Sequence, residues 1–133
     1  MGGTPTKLSF RVRYCETDQM GVVNHARFLD WFSEGRVEWL RIRGYSYKDW
    51  EQNGLALPVI KLDVQYRKAA RFDEILDLSV SCVEFTPKKI SFSYELYREE
   101  DLLASARTTH FFLKNGSVRA IEDRLFRNIQ AKI

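Results

Sequence analysis

The sequence predicts an α+β domain in which an antiparallel sheet packs against one long helix. Two observations carry this reading. A stretch beginning near Asn24 spaces its bulky apolar residues at helical period. Nearly everything after Pro58 alternates apolar and polar residues, in runs joined by hairpin signals. Strands in consecutive hairpins are antiparallel, which excludes the alternating order of a parallel α/β sheet. A chain of 133 residues that is 44% hydrophobic fits one domain, 1–133, with a packed core.

Taken in order, residues 1–7 contain no apolar run and are expected to be a flexible lead-in. Leu8-Ser9-Phe10-Arg11-Val12-Arg13-Tyr14 alternates at every step, the pattern of a half-buried strand. A loop, Tyr14–His25, follows. Asn24 is a candidate N-cap and Gly44 a candidate C′ residue for a helix roughly 27 Å long. Phe28, Leu29, Phe32, Gly35, Trp39 and Leu40 fall on one face of it, while Arg27, Asp30, Glu34, Glu38 and Arg41 fall on the other. A glycine inside that apolar stripe costs about 1 kcal/mol of helix propensity, and a close approach to the sheet would explain it. Ser46 caps a short helix through Trp50, with Asp49 three residues on and Gly54 as its stop.

The strands come next. Ile60, Leu62, Val64 and Tyr66 oppose Lys61, Asp63 and Gln65; Leu76, Leu78, Val80 and Cys82 oppose Asp77, Ser79 and Ser81; Ile90, Phe92, Tyr94 and Leu96 oppose Ser91, Ser93 and Glu95. Leu102–Lys114 reads as a longer strand with mixed faces. Thr86-Pro87-Lys88, Glu99-Glu100-Asp101 and Asn115-Gly116 are the turns. A short return strand is expected near Ser117–Ala120, and the tail from Glu122 is helix or coil. One apolar face per strand means a sheet that is dry on one side, which one long helix can cover.

Composition removes several classes of function. A net charge of +3 is too small to argue for nucleic acid and no motif supports it; a mild basic bias suits an anionic ligand. Cys15 and Cys82 have neither metal-type spacing nor the number for a disulfide framework, so a reduced, cytoplasmic setting and no metal are expected. No stretch is apolar enough for a signal peptide or a membrane span.

The Tyr14–His25 loop carries the candidate chemistry. Asp18 is flanked by Met20, Val22 and Val23, so partial burial is expected, and burial would make it a stronger base. The first N–H groups of the following helix lack intrahelical acceptors and carry partial positive charge, which would polarise a carbonyl placed there. His25 stands at that helix start. A carboxylate beside an oxyanion donor is the minimum for acyl transfer, with Asp18 activating water or attacking directly. The same residues also admit plainer roles: Asp18 as a turn residue, His25 as a helix-end residue, Tyr14 as a strand aromatic, Cys15 and His110 as structural.

The string Tyr14-x-x-x-Asp18-x-x-Gly21-Val22-Val23-x-His25, followed by Phe28 and a helix bearing Glu34, Arg36 and Glu38, resembles the hotdog-fold acyl-CoA thioesterases. It is most similar to the 4-hydroxybenzoyl-CoA thioesterase superfamily and, within it, the branch associated with the Tol–Pal system. The resemblance runs from about Leu8 to about Ala120. It implies a hotdog fold, with the sheet wrapped around the helix, and edge-to-edge pairing of subunits into a homodimer or homotetramer with sites at the interface. It further implies that Asp18 is the catalytic carboxylate, that the backbone N–H of His25 polarises the thioester carbonyl with a contribution from its ring, and that Tyr14 belongs to the same site. Val23 and Asn24 would line the substrate path. Asn24 stands where the branch commonly has Tyr, and Lys68-Ala69-Ala70 where it commonly has a Pro-Ala pair; both departures bear on acyl specificity.

The expected reaction is therefore hydrolysis of an acyl-CoA to free acid and coenzyme A, with coenzyme A as part of the substrate and no separate cofactor. Arg67, Lys68 and Arg71, or Lys88 and Lys89, are the candidates to meet its phosphates. Two other readings stand beside it: a hotdog dehydratase, and a non-catalytic module that binds acyl-CoA or acyl carrier protein.

Overall fold

The computed structural model describes residues 3–133. The elements run β1 (Thr6–Arg11), a single 3₁₀ turn (Tyr14–Glu16), α1 (His25–Ile42), α2 (Tyr47–Gln52), β2 (Leu55–Ala56), β3 (Val59–Tyr66), β4 (Ile75–Phe85), β5 (Lys89–Arg98), β6 (Asp101–Phe111), β7 (Leu113–Lys114), β8 (Ser117–Val118) and α3 (Asp123–Gln130). The main sheet is ordered β1-β4-β5-β6-β3, with every neighbour antiparallel, and β2-β7-β8 form a small second sheet. The long helix lies on one face of the main sheet, against β1 and β4. This is the α+β hotdog arrangement that the sequence predicts.

The helix forms where its capping signals place it. The Asn24 side chain accepts from the Ala26 N–H, and Gly44 takes a left-handed φ of 91° just beyond the last turn. Phe28, Trp31, Phe32, Gly35, Trp39 and Leu40 are its buried residues. Gly35 is the point of closest approach: a Cβ there would lie 2.7 Å from Val80 Cγ2 and 2.9 Å from Leu78 Cδ2. The glycine therefore trades helix propensity for contact with β4. Ile90, Phe92, Tyr94 and Leu96 of β5 and Leu76, Leu78, Val80 and Cys82 of β4 fill the space beneath the helix, all buried. The Asn115-Gly116 turn has both residues at positive φ, 51° and 85°, as a two-residue hairpin of this type requires.

Three expectations are corrected and one open alternative is resolved. The lead-in expected to be flexible through residue 7 is already strand from Thr6, whose side chain is buried and accepts from Arg43 Nη1 at 2.9 Å. The part of that expectation resting on Met1 and Gly2 lies outside the described residues. β1 ends at Arg11, so Tyr14 sits in the 3₁₀ turn and is 76% exposed, not part of a strand. The apolar face expected to be dry along β3 is open: Ile60 and Leu62 are 45% and 44% exposed, because α1 lies towards β1 and β4 and leaves this edge strand uncovered. The ambiguous tail is a helix, α3, whose Phe126 ring packs on Phe85 at 4.7 Å.

A polar chain crosses the apolar core beside the helix. Arg36 Nη1 donates to the Tyr94 hydroxyl at 3.1 Å, Tyr94 and Thr108 share a hydrogen bond of 2.5 Å, and Thr108 meets His110 Nε2 at 2.8 Å. The other ring nitrogen of His110 donates to the Leu57 carbonyl at 3.1 Å. Every group is satisfied if the imidazole is neutral, with its proton on Nδ1 and its Nε2 accepting from Thr108. A second ring proton would reverse the chain against the Arg36 donor. Burial first, and the Arg36 charge second, push the His110 imidazole down to about 4. His110 thus has the structural role open to it in the sequence.

That shift has a sign for stability. Between pH 6.5 and about 4 the unfolded chain binds a proton at His110 that the folded chain refuses, so stability is complete above this window and falls as pH drops through it. Unfolding in urea at pH 7 and pH 4.5 should show about 2–3 kcal/mol of loss from this group. His110→Phe, whatever its stability at pH 7, should show a correspondingly shallower loss between the two pH values.

Candidate active site

The Tyr14–His25 loop is a folded unit. Thr17 and Val23 form a bridge, the Asp18 N–H donates to the Val22 carbonyl at 2.9 Å, and the Gly21 N–H closes a turn on the Asp18 carbonyl at 3.1 Å. Gly21 has φ of 74°, the left-handed conformation this turn needs. Asp18 Oδ1 accepts from the N–H groups of Met20 at 2.8 Å and Val22 at 3.1 Å. One carboxylate oxygen thus holds the loop, while Oδ2 accepts no hydrogen bond among the described residues. Contrary to the expectation of partial burial, Asp18 is exposed in the single chain, because its neighbour Met20 points to solvent with 81% exposure. Its turn role and its availability as a base coexist on separate oxygens.

The loop delivers the chain to the start of α1. Val23 is buried, and its N–H donates to the Ala70 carbonyl at 2.9 Å. Asn24 caps the helix with its side chain, and its carbonyl accepts from the Arg27 N–H at 2.9 Å. The Ala26 and Arg27 N–H groups are therefore engaged. The His25 N–H has no acceptor among the described residues, and it points from the N-terminal end of an 18-residue helix where the partial positive charge is concentrated. The His25 side chain is exposed and stacks on Tyr66.

The basic candidates divide. Arg67, Lys68 and Arg71 lie in the segment that underlies the loop: Val22 bridges Arg71, and the Phe72 N–H donates to the Gly21 carbonyl at 3.0 Å. Arg67 and Arg71 carry exposed side chains there, whereas Lys68 pairs with Asp101 at 3.0 Å and holds that carboxyl below the usual carboxylate range. Lys88 and Lys89 are at the other end of β5, about 30 Å along the strand from Arg98, which contacts the underlying segment. Lys89 pairs with Glu84 at 3.4 Å. Within one chain the structure brings the first set to the loop and not the second. Tyr14 is at the loop's entrance, edge-on to Phe72 with ring centroids 5.4 Å apart.

Three groups that build the site were not among the sequence candidates. Glu16 is buried, and its carboxylate accepts from Trp31 Nε1 at 2.7 Å and from the Arg13 N–H at 2.7 Å, tying the loop to α1. Arg98 donates to the Ala69 carbonyl at 3.1 Å and pairs with Glu74 at 3.0 Å, and Glu74 accepts from the Arg71 N–H at 2.6 Å. Tyr66 covers His25. A buried Trp usually finds an acceptor for its indole N–H, so Trp31 carried a weak signal for Glu16, weak because Trp39 in the same helix is buried with none among the described residues. The Arg98 clamp joins residues far apart in sequence and had none.

Two kinds of comparison bear on this geometry. Residues 12–126 match the profile of the thioesterase-like superfamily. An acyl-CoA thioesterase, YbgC, of Haemophilus influenzae is 35% identical over 97 residues, covering 72% of this chain and 71% of the relative. Among solved structures, a hypothetical protein of Thermus thermophilus, TT1821, superposes with a TM-score of 0.90 at 31% identity, covering 96% of this chain and 98% of its own. A DHNA-CoA thioesterase of Staphylococcus aureus superposes with a TM-score of 0.86 at 26% identity, covering 96% and 87%. No group of three or more His, Cys, Asp or Glu side chains among the described residues could hold a metal ion. No helix among them is long and apolar enough to cross a membrane.

The Glu16 tie is directly testable. Glu16→Gln is nearly isosteric but offers an amide N–H₂ where two donors converge, so one donor loses its acceptor. Denaturant unfolding should show about 1–3 kcal/mol of destabilisation. An unchanged midpoint would mean the tie contributes nothing.

Proposed function

Because the chain belongs to the thioesterase-like superfamily, we propose that it hydrolyses the thioester of an acyl-CoA, with Asp18 as base or nucleophile and the His25 N–H as oxyanion donor. The observation that carries this reading is the unengaged His25 N–H at the end of α1, with the free oxygen of Asp18 on the loop that leads into it. As the thioester carbon becomes tetrahedral, its oxygen gains charge that this N–H and the helix terminus stabilise more than they stabilise the ground-state carbonyl. As base, Asp18 takes a proton from water, whose oxygen attacks the carbonyl carbon. The C–S bond then breaks and the coenzyme A thiolate takes up the proton. As nucleophile, Asp18 attacks that carbon itself, and the C–S bond breaks to give a mixed anhydride and the coenzyme A thiolate. Water then hydrolyses the anhydride to the free acid and the Asp18 carboxylate, its released proton going to the thiolate. Tyr14 lines the approach to the loop, with Val23 and Asn24 forming the turn into the helix. In this reading Arg67 and Arg71, exposed in the segment beneath the loop, meet the coenzyme A phosphates, and the free thiols of Cys15 and Cys82 suit a reducing, cytoplasmic setting.

The functional unit in this reading is a homodimer, or a tetramer of two dimers. Support comes from β3. Among the described residues it pairs only with β6, leaving its outer edge open, and Val59, Ile60 and Leu62 expose between 44% and 45% of their surface. A long apolar edge strand invites pairing with another chain, and the same edge carries Tyr66 beside His25. Pairing there would bring a second subunit to the site and remove the loop from bulk water.

Thiol release from a panel of acyl-CoAs tests the reaction. Asp18→Asn should lose at least about 100-fold in kcat with the circular dichroism spectrum unchanged; release at the wild-type rate would remove Asp18 from the mechanism. Sedimentation tests the assembly. Ile60→Lys with Leu62→Lys should shift the protein to monomer and lower activity with it, whereas an unaltered sedimentation coefficient would place the interface elsewhere.

A further inference from the structure

We infer that Tyr66 is a positioning residue for the proposed hydrolysis, holding His25 at both its ring and its backbone; the inference rests on the thioesterase reading for its catalytic consequence. The Tyr66 ring lies flat on the His25 imidazole, with centroids 4.0 Å apart and planes 9° from parallel. Its hydroxyl donates to the His25 carbonyl at 3.0 Å. Phe28 braces the pair edge-on, 5.1 Å from Tyr66 and 6.3 Å from His25.

The arrangement answers a physical weakness. His25 is the first residue of α1, and first residues fray because half of their backbone groups lie outside the hydrogen-bonded cylinder. An oxyanion donor must be directed to within a small angle of the developing charge, so a fraying first residue is a poor one. The Asn24 side chain holds the neighbouring Ala26 N–H and makes no hydrogen bond with the His25 N–H. The Tyr66 hydroxyl takes the second lone pair of the His25 carbonyl, and the stacked ring fixes the side chain. Together they hold the carbonyl and the side chain of His25, and so the first turn from which its N–H projects, from a strand, which is more rigid than the loop. Tyr66 is the last residue of β3 and pairs with Ala104 in the sheet, so its own position is set by the ladder. Its hydroxyl stays protonated, and so remains a donor, across the working range of pH, since burial raises it further above neutrality.

Two variants separate the ring from the hydroxyl. Tyr66→Phe keeps the stack and loses the bond to the His25 carbonyl. Tyr66→Leu loses both. With acyl-CoA as substrate, Tyr66→Phe should lower kcat about tenfold with KM within about twofold, and Tyr66→Leu about 100-fold. In NMR spectra the His25 ring protons should carry an upfield ring-current shift that persists in Tyr66→Phe and vanishes in Tyr66→Leu. Circular dichroism and sedimentation should be unchanged in both. Wild-type kcat in Tyr66→Leu, or a raised KM with unchanged kcat, would overturn the positioning role, the latter making Tyr66 a substrate contact. A His25 shift that survives Tyr66→Leu would overturn the stack itself. Failure of the wild type to release thiol from any acyl-CoA, with the ring-current shift present, would overturn the thioesterase reading and the catalytic consequence, and leave the contact standing.

Discussion

The structure turns on how closely α1 can approach β4. Gly35 has no side chain where a Cβ would come within 3 Å of Val80 and Leu78, so the helix sits directly on the strand. That contact decides what the helix covers. Residues of β4 and β5 on its side are sealed, and the inner face of β3, at the far edge of the sheet, is not. It also fixes the axis along which the N-terminal end of α1 emerges, and with it the placement of His25. Any side chain at this position would collide with Val80 and Leu78 and push the helix off β4. One missing methyl group thus sets both the core and the geometry of the candidate site.

The loop that meets this terminus is anchored by buried Val23 and by its backbone bonds, and tied down at its flanks by charged side chains. Glu16 is the buried one, and it is stabilised because two N–H donors converge on it, from Trp31 and Arg13. Arg98 and Glu74 do the same for the segment beneath, gripping the Ala69 carbonyl and the Arg71 N–H. Between these two ties, Asp18 is left to spend one oxygen on its own turn and keep the other free. The division of labour between the two acids of Glu16-Thr17-Asp18 is the opposite of what their neighbours suggest. The acid beside a threonine and a cysteine is buried, and the one followed by Met20, Val22 and Val23 is exposed.

That inversion marks the boundary of what was legible in the sequence. Local signals read through well. Asn24 as cap, Gly44 as stop, Gly35 as a close approach and the alternation of β4 and β5 each depend on residues a few positions apart, and each is where the pattern places it. The family string Asp18-x-x-Gly21-Val22-Val23-x-His25 located the candidate loop for the same reason: it is contiguous. The supporting residues are not contiguous. Glu16 with Trp31, Arg98 with Ala69, and Tyr66 with His25 join positions between 15 and 41 residues apart, and pairing at that distance leaves no periodic trace. The exposure of Ile60 and Leu62 was hidden for another reason. Alternation identifies an apolar face, but it does not say whether that face meets the same chain or another one.

The open face of β3 and the exposed loop are two sides of one physical problem. A carboxylate in water is a weak base, and an N–H in water already has a hydrogen-bond partner, so neither is effective for acyl transfer until solvent is excluded. In the single chain both stand open, and apolar residues that could exclude water face outward, Met20 and Phe72 at the loop and Ile60 and Leu62 farther along the strand that ends in Tyr66. On the proposed reading, association along β3 removes both deficits at once: it buries the apolar edge, and it places the Asp18 oxygen and the His25 N–H in a medium where each acts more strongly. Catalytic competence and subunit assembly would then share a single driving force. Tyr66 stands where the two meet, at the end of β3 and against the first residue of α1, so a shift in how β3 pairs would be passed directly to the orientation of His25.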